Sequence, residues 1–95
     1  MQKRVIMHKV AATAAVESEL FAAGTTFCVD GDLGSDVITF ELIGINDEDL
    51  TDFYDNDETL VKLSSTRTAF MLQNHAHLKV SRPSTTNAIG IYVIE

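Results

Sequence analysis

The stretch Val37-Ile38-Thr39-Phe40-Glu41-Leu42-Ile43-Gly44-Ile45 decides the fold class. Ile38, Phe40 and Leu42 alternate with Thr39 and Glu41, and a period of two puts the three apolar side chains on one face of a strand from about Val37 to Ile45. The same alternation recurs in both directions along the chain. Upstream, one strand is expected over Val5 to Val10, and Phe27 with Val29 marks another that ends in the turn Asp30-Gly31-Asp32-Leu33-Gly34. Downstream come Val61 with Leu63, Phe70 with Leu72, then Ala76, Leu78 and Val80, and finally Ile89, Ile91 and Val93. About seven short strands separated by turn residues predict an all-β chain, a small antiparallel β-sandwich or jelly-roll-like barrel. The alternating apolar residues from Phe27 to Val93, Val29 and Leu42 among them, are its expected core.

Ala11 to Ala23 fits this scheme least well. Its alanines, with Glu17 and Glu19, permit a short helix, but its apolar positions do not cluster at 3.6-residue spacing, which favours extended or irregular chain. Such a segment suits an arm exchanged with a neighbouring subunit, or an ordinary edge strand of the same subunit. The chain is therefore divided into an N-terminal strand or arm, residues 1–24, and a β-sandwich domain, residues 25–95.

Ninety-five residues support one core, and so small a core is commonly supplemented by disulfides, metal or self-association. Cys28 is the only cysteine, so no disulfide forms within one chain, and its place in an alternating run reads as a small packed hydrophobe. Self-association is expected, with a trimer favoured over a dimer. The start Met1-Gln2-Lys3-Arg4 leads into Val5-Ile6-Met7, which His8 and Lys9 interrupt before a signal-peptide core can form. No apolar run approaches a membrane span, so the reading is a soluble chain made in a cytoplasm with no membrane partner.

Charge is sharply segregated: eleven of the fourteen acidic residues lie between Asp30 and Glu58, and all seven Lys and Arg lie outside that stretch. A net charge of -7 opposes nucleic-acid binding, which needs a basic stripe to displace phosphate counterions. Two electrically different faces suit docking and assembly. Lys3, Arg4, Lys62, Arg67, Lys79 and Arg82 are the candidate partner-binding residues.

Candidate chemistry is sparse. His75-x-His77 places two imidazoles on one strand face, outward in this register, and His8 completes a three-ligand set only if the first and penultimate strands are neighbours. Asp30, Asp32 and Asp36, and separately Asp47, Asp49, Asp52, Asp55 and Asp57, offer closely spaced oxygens, but neither run follows a calcium-loop template. No nucleophile elbow, phosphate cradle or aromatic-walled carboxylate pair is present, so the expectation is a non-enzymatic protein with no catalytic residues, no metal and no cofactor.

From Gly24 onward the chain resembles the decoration or cement proteins that stud bacteriophage capsids. The resemblance lies in Thr25-Thr26-Phe27 leading into Asp30-Gly31-Asp32-Leu33-Gly34-Ser35-Asp36, in Val37 to Leu42, and in the acidic loop that follows. It continues through Val61-Lys62-Leu63, Leu78-Lys79-Val80 and Ala88-Ile89-Gly90-Ile91-Tyr92-Val93. It implies a structural virion protein on the capsid surface that stabilises joints between copies of the major capsid protein. Alternatives are a head-tail joining or tail component, and, from another class, a small carbohydrate-binding β-sandwich module.

Overall fold

The structure, a computed structural model, describes residues 2–10, 14–44, 50–84 and 87–95. Nine strands make up the regular elements among these described residues: β1 Lys3–Val10, β2 Ala15–Phe21, β3 Thr26–Asp30, β4 Ile38–Ile43, β5 Leu50–Asp52, β6 Lys62–Leu63, β7 Ala69–Met71, β8 Ala76–Arg82 and β9 Ile89–Ile94. They form two antiparallel sheets, β1-β9-β3-β7 and β2-β8-β4-β5, with β6 also paired to β4.

This order is a rolled-up hairpin. β1 pairs with β9, β2 with β8 and β3 with β7, while β4 pairs with both β5 and β6 at the tip. Curling that ladder adds β3 beside β9 and β4 beside β8 and places successive strand pairs in alternate sheets. With β5 and β6 sharing one position, the topology is that of a jelly roll.

The nine strands exceed the expected seven by β2 and β5. β2 settles most of the Ala-rich segment, whose residues 11–13 lie outside the described residues: Ala15 to Phe21 pairs residue for residue with Arg82 to Ala76, without a bulge. Cross-strand hydrogen bonding, a tertiary gain, overrides the local helical propensity of this segment. Lys3–Val10 and Ala15–Phe21 thus supply the outer strands β1 and β2 to sheets of the same chain, alongside the strands of residues 25–95.

The inward faces meet in a ladder of rings. Phe21 of β2 contacts Phe27 of β3 edge-on at 4.8 Å, and Phe27 contacts Phe40 of β4 at 5.0 Å. Phe40 then approaches Phe70 of β7 at 6.4 Å, and Phe70 meets Phe53 at 6.2 Å. All five phenylalanines therefore join one contact series that crosses repeatedly between the sheets. Ile38, Leu63, Leu78, Val80, Ile89, Ile91 and Val93 pack around it without solvent exposure.

The expected core needs two changes. Leu42 shares the face of Ile38 and Phe40 but is 37% exposed, because β7 opposite is only three residues long and the cover ends beyond Phe40. Val29 is only partly buried, packed against the core from its margin. Met7, Phe21 and Leu33 enter the core in addition.

Two glycines are dictated by close approach. Gly31 has φ 117°, and a Cβ there would lie 2.4 Å from the Ala88 carbonyl oxygen. At Gly90 a Cβ would lie 3.0 Å from the Met7 carbonyl oxygen, where β1 crosses with an irregular register.

Candidate interaction surfaces

The six basic candidates do not form one surface. Arg82 is only 4% exposed: it points inward from β8, and its guanidinium donates to the carbonyl oxygens of His8 at 2.9 Å and Ile89 at 2.7 Å. This corrects its assignment to a docking face, since the charge is used to satisfy carbonyls of β1 and β9. Arg4 also points toward the sandwich margin, where its guanidinium donates to both oxygens of Glu19 and to Glu95 at 2.6 Å. These bonds raise the Arg4 pKa further and hold the Glu95 carboxyl below its usual range.

Arg67 lies over the Phe70 ring and 3.7 Å from Asp55, and Lys3 lies over the Tyr92 ring on the outer face of the β1-β9-β3-β7 sheet. Lys62 and Lys79 remain on the outer face of the other sheet, and among the described residues neither makes an ion pair. In register, Lys79 stands between Ser18 of β2 and Glu41 of β4.

That second sheet carries the most exposed apolar side chains. Leu20 is 71% exposed and Val16 53%, both on the outward side of β2 opposite inward Phe21. Leu20 is paired with His77, and Ile43 with Leu50. Ile43, Leu50, His77, Lys79 and Ser18 line an open hollow of about 330 Å³. Leu20, His77, Ile43 and Leu50 thus form a row across the sheet, apolar except for the imidazole, flanked by Lys79 and Glu41. A contiguous row of this kind characterises a contact surface more than isolated exposed side chains do.

On the opposite outer face Cys28 is 9% exposed, paired with Tyr92 and Ala69. It is packed, as expected, yet lies outside the core cluster because it shares its face with Tyr92 and not with Phe27. The charge and hydrogen bonding of the Cys28 sulfur raise the Tyr92 phenol pKa, with smaller contributions from desolvation and Asp30.

The acidic turns use their oxygens locally. Asp32 accepts from the Gly34 amide at 2.9 Å, and Asp55 accepts from the amides of Asp57 and Thr59. Asp47 and Asp49 lie outside the described residues. His8 stands on β1 and His77 on β8, in different sheets, so the neighbouring strands required for a three-histidine set do not occur. His75 precedes β8, and its Nδ1 accepts from the Ala23 amide at 3.1 Å. Among the described residues no three His, Cys, Asp or Glu side chains form a metal-holding group.

No known protein family, curated protein or solved structure matches the chain. The surfaces therefore carry the functional argument alone. Sequence reasoning missed the Leu20 to Leu50 row because both faces of β2 contain apolar residues, Val16 and Leu20 on one and Ala15 and Phe21 on the other. The signal available was the alternation of Val16, Ser18 and Leu20 with Glu17 and Glu19, which becomes decisive only once the burial of Phe21 fixes the register.

Proposed function

We propose that this protein is a non-enzymatic structural subunit of a phage virion that docks on the capsid exterior and stabilises joints between major capsid subunits. The observation that carries this reading is the exposed row from Leu20 to Leu50 beside Lys79, on a regular sheet face. The exposed Leu20 and Leu50 and the half-buried Ile43 supply contact area that is driven out of water, and the flanking lysines steer it toward an acidic shell. Jelly rolls occur in viral shells and in sugar-binding domains alike, so the fold supports the reading only by analogy.

Of the six basic candidates, this reading keeps Lys62 and Lys79, which share the face of the apolar row. Self-association, with a trimer preferred, multiplies a modest footprint per copy through avidity. Cosedimentation with empty capsids of the cognate major capsid protein tests the surface. Leu20→Asp is expected to abolish binding while the circular dichroism of the β fold is retained. Wild-type binding by that variant contradicts the assignment.

A further inference from the structure

At one end of the sandwich, beyond β7 and the start of β8, lies a cleft of about 190 Å³ that the docking reading does not use. Leu42, Phe53, Phe70 and Ala76 supply apolar walls, with Phe53 and Phe70 set edge-to-face. Leu42 is open here because the short strand β7 leaves it uncovered. It faces inward on β4, whereas its neighbour Ile43 faces the docking hollow, so the two features occupy opposite faces of one strand.

The polar lining is open to solvent. Tyr54 is 54% exposed, and Tyr54, Asn56, Gln73 and Asn74 form no side-chain hydrogen bond to the described chain. Three amides and one phenol therefore present both donors and acceptors beside apolar walls. His75 is fixed differently: its Nδ1 is occupied by the Ala23 amide, leaving Nε2 as its other polar atom. Asp55, Asn56, Phe70 and Gln73 also line a second hollow, of about 270 Å³, that continues past them toward Met71.

From this arrangement we propose that the cleft binds one ring of a neutral saccharide, with a second ring extending over Asn56 and Gln73 into the adjoining hollow. A pyranose ring offers an apolar C–H face to the exposed Leu42 and Tyr54 side chains and a rim of hydroxyls to the amides, which matches the two kinds of lining. The volume of the cleft suits one ring and is below the usual range for a drug-sized ligand. Charge decides against acidic sugars: Asp55 lines the cleft, Asp52, Asp57 and Glu58 lie close to it in sequence, and the nearby arginine, Arg67, already faces Asp55. The site is independent of capsid docking.

The test is amide chemical-shift perturbation in the isotope-labelled full chain, titrated with neutral monosaccharides, their disaccharides and glucuronate. The expected result is saturable shifts at Phe53, Tyr54, Asn74 and His75 with at least one neutral sugar, at a Kd of order 1 mM. The matching disaccharide binds more tightly, and glucuronate produces no saturable shift. Tyr54→Ala and Asn74→Ala, checked for a native spectrum, each weaken binding roughly tenfold. No saturable shift with any neutral sugar, equal shifts with glucuronate, or unchanged affinity in both variants overturns the proposal.

Discussion

The Arg4 guanidinium joins the Glu19 carboxylate through two parallel hydrogen bonds, at 2.9 and 2.7 Å, and so ties outer strand β1 of one sheet to outer strand β2 of the other. The pair bridges the two sheets on the β1–β2 side of the sandwich. Both side chains remain about 40% accessible, so water screens much of the attraction. Glu19→Gln is expected to lower stability by about 1 kcal/mol or less in urea unfolding. Arg4→Met is expected to leave capsid association unchanged, in contrast to Lys79→Glu.

Acid sensitivity follows from the other partner of Arg4. The Arg4 hydrogen bond lowers the Glu95 pKa in the folded chain, so the ionised carboxylate favours folding. That contribution is complete above the ordinary carboxylate range and is lost as pH falls through the lowered folded-state value. Thermal midpoints of wild type and Glu95→Gln should therefore differ near neutral pH and converge in strong acid.

The alkaline side behaves in the opposite sense. Tyr92 has a raised pKa, so the folded chain favours the neutral phenol; this contribution is complete below the ordinary tyrosine range and disappears as pH rises through the folded value. Absorbance titration of tyrosinate should show one phenol ionising late, and Cys28→Ala should bring that transition back toward the ordinary range. An unchanged titration in Cys28→Ala removes the sulfur as the cause.

Core truncations should separate Phe40 from Leu42. Phe40→Ala opens a cavity within the ring ladder and is expected to cost about 3 to 5 kcal/mol, a large share of the stability of a domain this small. Leu42→Ala removes a side chain already exposed at the cleft and should cost roughly 1 kcal/mol. Equal midpoints for the two variants would contradict the observed end of the core.

The alternation from Ile38 to Leu42 makes the all-β class legible, because a half-buried strand writes its two faces directly into the sequence. Periodicity does not show which strands are neighbours. The pairing of β2 with β8 connects residues more than fifty positions apart, and it decides that Leu20 is outward and Phe21 inward. Arg82 misleads for the same reason: a charged residue after Val80 looks like the solvated end of a strand until β1 and β9 bring carbonyls to it. The cleft is hidden more deeply still, since Phe53, Phe70 and Asn74 meet only when the hairpin tip curls over the β7–β8 turn.

The measurement that tests the central claim most directly is the occupancy of empty capsids, assembled from the cognate major capsid protein, across a titration of the purified chain. Saturable binding at a fixed number of copies per capsid, with raised capsid melting temperature and loss of both effects in Leu20→Asp, is the predicted result. Absence of the chain from the capsid fraction at every concentration, with wild-type protein folded and in excess, contradicts the account.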